Sequence, residues 1–267
     1  APPIGRSIVF MGAKGGTGSS TIAHNVGWCI STRMNEDVII TDMDLAFGTA
    51  GLDFNHDPAQ GIADALMAPE RLDDVLLDRL LVKCSDHLSL FAAPAVLDRD
   101  LDMDSESFES VLEIVRETVP CVIVDLPHVW APWTKKILMS ADDIVITATP
   151  DLASLRNAKN IMDLAKSMRA NDALPHLVIN QVGVPKRPEI PVKDFAEAIG
   201  IEPTLVLPFS PGLFGSAANN GQMIEELDAK SKATEGFRYL AKQLCGRDPM
   251  PMKASKKSFL QRLVRKG

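Results

Sequence analysis

A glycine-rich string with two serines lies near the start of the chain and contains the residue types that bind phosphate. It follows the apolar run Ser7–Met11 and reads Gly12-Ala13-Lys14-Gly15-Gly16-Thr17-Gly18-Ser19-Ser20-Thr21. Glycines permit a tight turn that aims several backbone N–H groups at one point, where a following helix adds its positive end. A hydroxyl at the helix start can ligate Mg²⁺ that bridges phosphate oxygens. The string predicts a phosphate site; a structural turn or a dinucleotide loop is the alternative.

Carboxylates follow two other apolar runs. Asp42 and Asp44 come directly after Val38–Thr41, and Asp125 comes directly after Cys121–Val124. On an extended segment, side chains two residues apart point to the same side, so we expect Asp42 and Asp44 to face the phosphate site together. The alternative for this pair is that they cap a helix or a turn.

Short β-branched runs alternate with helical patterns along the whole chain. The predicted strands are Ser7–Met11, Val38–Thr41, Leu88–Ala92, Cys121–Val124, Asp143–Thr147, His176–Asn180 and Thr204–Leu207. Several are apolar on consecutive residues, as in parallel strands whose two faces are both buried. The alternation predicts an α/β fold, a doubly wound and mainly parallel sheet with helices on both faces. Ligands of such sheets bind beyond the carboxyl ends of the strands.

Composition bounds the class of protein and its partners. The 267 residues carry a net charge of −7 with 46% apolar residues, so we predict a globular domain and no specific nucleic-acid partner. The four cysteines have no metal-ligand spacing, and we expect free thiols in a cytosolic protein. We place one domain at 1–245, a flexible linker at 246–258 and a basic amphipathic tail at 259–267.

The segment Ala13–Ser20 resembles the deviant Walker A motif of the ParA/MinD ATPases, and the resemblance implies a P-loop NTPase fold that binds ATP and Mg²⁺. It makes Lys14 the signature lysine, which in that family reaches the nucleotide of a partner in a homodimer. It makes Ser20 the Mg²⁺ ligand. Ser19, however, stands where ordinary P-loops have the lysine that neutralises the β- and γ-phosphates. Because a hydroxyl carries no charge, we expect ATP binding with weak or absent hydrolysis, unless Lys14 compensates in cis or in trans.

The same resemblance assigns roles to residues after the other strands. Asp44 would position the attacking water, Asp42 would support it and the magnesium shell, and Asp125 would be the Walker B carboxylate on Mg²⁺. Asn180 would bind the adenine edge, and the loop of Pro208 and Phe209 would contact the ring. The nucleotide-binding residues implied in this way are Lys14, Gly15, Gly16, Thr17, Gly18, Ser19, Ser20, Thr21, Asn180, Pro208 and Phe209, with Lys14 and Asp44 catalytic and with Ser20, Asp42 and Asp125 at the metal. His24 and Trp28, on the first helix, we predict to be packing residues.

Residues 13–25 and 42–53 look most like the CpaE/TadZ branch of that family, in which serine at the P-loop lysine position is typical. That likeness implies an ATP-dependent dimer that localises the type IVb (Flp/Tad) pilus secretion machinery, often at a cell pole. Members of the branch usually carry an N-terminal receiver-like domain, which this chain lacks, so we expect the chain to be the ATPase half of such a protein.

The basic tail has the profile of a helix that lies on an anionic membrane surface. A solvated tail, or a helix that docks on an acidic partner, is the alternative. Two other functions stay open for the chain as a whole. One is an active ParA/MinD-type ATPase that positions cargo on membrane or DNA, and the other is a nucleotide-free scaffold.

Overall fold

A computed structural model describes residues 4–93 and 104–246. They form one sheet with helices on both sides. The strands are β1 (Arg6–Gly12), β2 (Val38–Asp42), β3 (Val82–Ser85), β4 (Leu88–Phe91), β5 (Cys121–Asp125), β6 (Asp143–Ala148), β7 (His176–Val182) and β8 (Leu205–Pro208). The helices are α1 (Ser19–Arg33), α2 (Ala50–Asp53), α3 (Ile62–Met67), α4 (Asp74–Leu80), α5 (Ser105–Thr118), α6 (Pro132–Ser140), α7 (Leu152–Met168), α8 (Val192–Ile199), α9 (Pro211–Asn220), α10 (Ile224–Leu227) and α11 (Lys232–Cys245).

The sheet has eight strands in the order β3-β4-β2-β5-β1-β6-β7-β8. Every neighbouring pair is parallel except β3 and β4, which are antiparallel. In the register of β2 with β5, Asp42 lies directly opposite Asp125. The two predicted carboxylate positions therefore meet at one edge of the sheet.

Each face of the sheet packs against its own hydrophobic cluster. Alternate residues of β5 show this division, since Val122 and Val124 belong to one cluster and Ile123 belongs to the other. The first cluster includes residues of α3 to α8, and the second includes residues of α1 and α9 to α11. Burial on both faces explains the unbroken apolar runs in the sequence.

The fold prediction is confirmed, and the seven predicted strands are present within one or two residues of their bounds. The sequence prediction missed β3. Its residues are half-exposed or exposed and include Lys83, so the strand lacks the apolar run that marked the others. Among the described residues its one strand partner is β4, to which it is joined by a tight turn at 86–87, and such an edge strand needs little apolar surface.

Helix α11 ends at Cys245, and Gly246 follows it in the left-handed region at φ 66°. Beyond Gly246, the predicted linker and the basic tail lie outside the described residues and stay predictions. Within residues 4–93 and 104–246, no helix is both long and apolar enough to cross a membrane. The four cysteines are free; Cys29 and Cys121 are buried, whereas Cys84 and Cys245 are half-buried.

Candidate functional site

The phosphate loop connects the carboxyl end of β1 to the first turn of α1. Gly16 and Gly18 have φ angles of 79° and 85°, a region in which a side chain is strained. A Cβ atom on Gly18 would also lie 2.5 Å from Asn180 Nδ2. Glycine is therefore required at position 18 for two independent reasons, backbone conformation and close approach.

Side chains from other elements hold the carbonyl oxygens of the loop. The hydrogen bonds are His128 Nδ1 with Gly12 O (2.9 Å), Asn157 Nδ2 to Ala13 O (2.9 Å), Gln181 Nε2 to Gly16 O (2.9 Å) and Asn180 Nδ2 to Thr17 O (2.9 Å). Among the described residues, the backbone amides from Lys14 to Thr21 donate no backbone hydrogen bond outside helix α1. Unpaired amides favour an anion as their partner. The four side-chain bonds hold the loop in shape, and its amides stay free for such a ligand.

Ser19 is the first residue of α1 and is only 9% exposed. Its Oγ is buried and has no hydrogen-bond partner in the described part of the chain. A buried hydroxyl without a partner costs free energy, on the order of 1–3 kcal/mol. The helix also has no acidic residue in its first turn that would occupy the N–H groups. These features fit a phosphate oxygen at this position.

Lys14 forms an ion pair with Asp151, with Nζ 2.9 Å from Oδ2. Asp151 caps the N-terminus of α7 by accepting a hydrogen bond from Ser154 N at 2.9 Å. Burial opposes ionisation of Asp151, but its hydrogen bonds and the charge of Lys14 outweigh burial and lower the pKa of the carboxyl group. The side chain of Lys14 is still 38% exposed. The predicted signature lysine therefore lies at the protein surface, where it is paired with a carboxylate of its own chain.

Asp42 is buried, and its carboxylate accepts hydrogen bonds from the loop that follows it. Its Oδ1 accepts a hydrogen bond from Asp44 N and its Oδ2 accepts one from Ala50 N, both at 3.1 Å. Burial and the charge of Asp125 raise the pKa of Asp42 to about 7, although His24 and the two amides act against them. A Cβ atom on Gly48 would lie 2.3 Å from Asp42 Oδ2, so the loop closes tightly around the carboxylate.

Asp44 is half-buried and accepts a hydrogen bond from Phe47 N at 3.1 Å. Both acids of the pair thus make the turn-capping contacts that were the alternative to a role at the phosphate site. Neither contact excludes that role. The water-positioning role of Asp44 and the metal role of Asp42 stay predictions.

Two side chains of α1 hold the carboxylate of Asp125. Ser20 Oγ donates to Asp125 Oδ1 at 3.1 Å, and His24 Nε2 lies 2.9 Å from Asp125 Oδ2. The other ring nitrogen of His24, Nδ1, lies 2.6 Å from Asp53 Oδ2. Burial alone would lower the pKa of His24, but the hydrogen bonds and charges of the two carboxylates outweigh it and raise the pKa to about 10. The imidazole is therefore a buried cation.

The prediction that His24 is only a packing residue is wrong in this respect, because its ring is fully buried but bonded at both nitrogens. Trp28, in contrast, contacts the ring of Phe54 at a centroid distance of 6.4 Å and makes an ordinary packing contact. A signal for His24 was present in the sequence. It lies four residues after Ser20 on a predicted helix, so both side chains face the same side.

A pocket lies beside the loop, between the ends of β7 and β8. It has a volume of about 240 Å³ and is lined by Gly18, Thr21, Asn180, Gln181, Pro208, Phe209, Ser210, Pro211 and Phe214. Five of these nine residues were predicted at the nucleotide from sequence. Their assembly around one cavity fits a flat ring next to the phosphates. The adenine contacts of Asn180, Pro208 and Phe209 stay predictions.

The residues fit ATP with Mg²⁺. The amides from Lys14 to Thr21 and the unpaired Ser19 hydroxyl would hold the phosphates, and Ser20 with Asp125 would hold the ion. No group of three or more His, Cys, Asp or Glu side chains in residues 4–93 and 104–246 could bind a metal by itself. Mg²⁺ would therefore take its other ligands from phosphate and water, which is its usual preference. When bound, the ion supplies charge neutralisation for the phosphate oxygens.

Four further residues shape this site and are not among those predicted from sequence. These are Asp53, Asp151, Asn157 and Gln181. Each lies on a different segment from the phosphate loop, and each acts through one contact that only the tertiary structure creates. No spacing or pattern marks such residues.

Known proteins resemble this chain over most of its length. MinD, the septum site-determining protein of Synechocystis, is 25% identical over 252 residues, which are 91% of this chain and 90% of that protein. A ParA family ATPase from Chlorobium tepidum is 25% identical with a TM-score of 0.80, over 90% of this chain and 99% of its own. MinD from Pyrococcus horikoshii, solved with Mg-ADP, has the same fold (TM-score 0.78, 18% identity, 90% of this chain and 96% of its own).

The model of the AAA_31 family, described as an AAA domain, matches residues 5–178. That stretch contains the phosphate loop, Asp42 at the end of β2, Asp44 just after it, and Asp125, which ends β5. It covers more than half of the chain, and the solved relatives share the fold over 90% of the chain. The chain therefore belongs to the AAA_31 family and is a P-loop ATPase homologue of the ParA/MinD type.

Proposed function

We propose that this protein binds MgATP tightly and hydrolyses it slowly or not at all. The unpaired Ser19 hydroxyl at the start of α1 carries the proposal, because it takes the place of a cationic lysine at the phosphates. Main-chain amides bind a ground-state triphosphate as well as a reacting one, whereas the lysine also neutralises the charge that develops during phosphoryl transfer. Binding therefore depends less on the missing lysine than turnover does. That MinD of Pyrococcus horikoshii is solved with Mg-ADP supports the choice of ligand.

In the ATP state the protein acts as a homodimer, with Lys14 reaching the nucleotide of the partner. Its present ion pair with Asp151 is partly exposed, and such pairs stabilise a conformation by roughly 0–1 kcal/mol. Lys14 is thus easily released. Large apolar side chains are exposed after three strands of the site, at Phe47 (73%), Trp130 (57%) and Leu152 (74%). Exposed apolar groups around a site favour an interface there.

The cellular role we propose is localisation and assembly of a type IVb (Flp/Tad) pilus secretion machinery, with pilus proteins as partners. This role rests on the resemblance of residues 13–25 and 42–53 to the CpaE/TadZ branch. The serine at position 19 is the feature typical of that branch. The basic tail at 259–267 would hold the dimer on an anionic inner-membrane surface, at a cell pole.

A second candidate is an active ATPase that positions cargo. The septum site-determining protein of Synechocystis, which is similar along most of the chain, favours it. ATP turnover separates the two candidates.

One set of measurements tests the proposal. Calorimetry with ATP and Mg²⁺ should show binding, chromatography of the nucleotide after incubation should show mostly intact ATP, and light scattering should show a dimer with ATP only. Lys14→Ala should abolish the dimer, whereas Lys193→Ala, at a position whose side chain is 85% exposed on α8, should keep it. Rapid turnover that Asp44→Ala abolishes would instead establish the active ATPase. Absence of binding would leave the nucleotide-free scaffold.

The tail is tested separately with vesicles of anionic lipid. The full chain should sediment with them, and the chain lacking 253–267 should not. Equal sedimentation of the two would remove the membrane role without affecting the nucleotide proposal.

A further inference from the structure

His24 lies at the centre of a buried ionic link between two segments of the chain. Its ring is 0% exposed, with Asp125 Oδ2 at 2.9 Å from one nitrogen and Asp53 Oδ2 at 2.6 Å from the other. A carboxylate can only accept a hydrogen bond, so both ring nitrogens must donate. A doubly protonated ring between two carboxylates is an ion triad, and its geometry is fixed at both ends.

At one end the link sets the orientation of the Walker B carboxylate. Ser20 holds Asp125 Oδ1 and His24, one turn further along α1, holds Asp125 Oδ2. Rotation of the carboxylate would break both contacts. Ser20 is also the predicted Mg²⁺ ligand. Binding of the ion at Ser20 and Asp125 therefore acts directly on one side of the triad.

At the other end the link holds helix α2. Asp53 is the last residue of α2, and the amide of its first residue, Ala50, is bonded to Asp42. The helix is thus bonded at its two ends, through Ala50 N to the buried Asp42 and through the half-buried Asp53 to His24. It carries Leu52, which is 64% exposed. The loop before the helix carries Phe47, which is 73% exposed.

We propose that His24 is a positioning residue that couples the occupancy of the Mg²⁺ site at Asp125 to the position of α2 and its exposed apolar side chains. The inference rests on the proposed MgATP site. It assigns α2 as the surface element that responds to nucleotide, and it assigns the link through Asp53 as the means. This ion triad suits the task, because moving either carboxylate leaves the charge of the buried His24 ring uncompensated, where water does not reach it.

The rival explanation is that the triad only stabilises the fold. Two variants separate the explanations. His24→Gln removes the charge from the centre of the link, and Asp53→Ala removes only its α2 end. Asp57→Ala is the matched control, because Asp57 is an exposed acid in the loop that follows α2.

The experiment measures hydrogen exchange of residues 47–54 with and without MgATP, together with ATP affinity in Mg²⁺ and in a chelator. In the natural protein and in Asp57→Ala, MgATP should slow exchange of 47–54 by about tenfold or more. In Asp53→Ala the affinity should stay within about twofold, but the slowing should disappear. In His24→Gln the slowing should also disappear, and affinity should fall about tenfold in Mg²⁺ but not in chelator, as expected from one lost charged hydrogen bond.

Nucleotide-dependent slowing of exchange in Asp53→Ala equal to that of Asp57→Ala would overturn the coupling. So would an equal loss of affinity with and without Mg²⁺ in His24→Gln, which is the result of a purely structural role. If the natural protein does not bind MgATP, the proposed function fails instead. In that case nucleotide-free exchange still decides the link, because segment 47–54 must exchange faster in Asp53→Ala than in Asp57→Ala.

Discussion

The phosphate loop and the carboxylate cluster beside it (His24, Asp42, Asp53 and Asp125) differ in how far their polar groups are paired within the protein. In the loop from Lys14 to Thr21, no backbone amide donates a hydrogen bond outside helix α1, and the buried Ser19 hydroxyl has no partner among the described residues. In the cluster of His24, Asp42, Asp53 and Asp125, each side chain has at least one partner on another segment. The loop has donors without a protein partner in the described part of the chain, whereas the charged side chains of the cluster are bonded to one another or, at Asp42, to backbone amides.

The difference shows where this protein tolerates change. A substitution that only alters the charge of a loop side chain should change ligand affinity more than stability, because few contacts within the protein depend on that charge. A substitution in the cluster disturbs buried charges that depend on one another, so it should affect stability first. Three predictions test this contrast and a fourth extends it to another ion network, from the largest expected effect to the smallest.

Gly48→Ala should destabilise the fold by about 2–3 kcal/mol, the usual cost of overpacking a tight site. The new Cβ would lie 2.3 Å from the buried Asp42 carboxylate, which cannot move without losing its bonds to two amides. Gly15→Ala is the control in the phosphate loop, since a Cβ there meets nothing within 4 Å. Urea denaturation measures both. Equal losses of stability would contradict the contrast between loop and cluster.

Ser19→Lys should raise the affinity for ATP about 10- to 100-fold and produce measurable hydrolysis, because a charged hydrogen bond contributes about 1.5–3 kcal/mol. Calorimetry and phosphate release measure the two effects. Ser19→Ala should lower ATP affinity without lowering stability, since the hydroxyl has no partner in the described part of the chain. Unchanged affinity in both variants would place the phosphates elsewhere.

Asn180→Ala should weaken ATP binding about fivefold, the effect of one neutral hydrogen bond of about 1 kcal/mol. Binding of inorganic tripolyphosphate, which has no base, should change less. Gln181→Asn is the control, because it shortens a side chain that holds the neighbouring loop carbonyl, Gly16 O, through the same kind of bond. Competition binding compares the ligands. An equal loss for ATP and tripolyphosphate would reduce Asn180 to a support for the loop.

The smallest effect concerns an ion network on the α1 side of the sheet, away from the phosphate loop. Arg33 Nη2 lies 2.7 Å from Glu225 Oε1, and Arg238 also bonds this oxygen. Burial opposes ionisation of Glu225, but the two arginines outweigh it and lower the pKa of its carboxyl group. A lowered folded-state pKa gives stability that is present above the ordinary pKa and is lost as pH falls through the lowered value.

The natural protein should therefore exceed Glu225→Gln in stability by about 1 kcal/mol at pH 7. The advantage should shrink steadily below about pH 4.5, the ordinary range of glutamate. Denaturation of both proteins across this range measures the difference. A constant difference at all pH values would mean that the charge of Glu225 does not contribute.

Much of the fold was predictable because its signals are local. Apolar runs such as Val122–Val124 mark strands buried on two faces, and this information lies within a few neighbouring residues. The edge strand β3 was missed for the same reason, since Lys83 and its half-exposed neighbours give no such run. The sequence also placed the phosphate loop and the acids Asp42 and Asp125 at strand ends, where parallel strands must bring them together.

The chain's sequence by itself determined the sheet, the glycine turn and the serine in place of a lysine at position 19. The tertiary structure alone decided that Lys14 pairs with Asp151, that Asn180 and Gln181 hold the loop, and that His24 is a cation between Asp125 and Asp53. The physical reason is the range of the interactions. Hydrophobic periodicity and turn formation depend on residues that are close in the sequence. Charge pairing depends instead on which distant segments the fold brings within about 3 Å of one another.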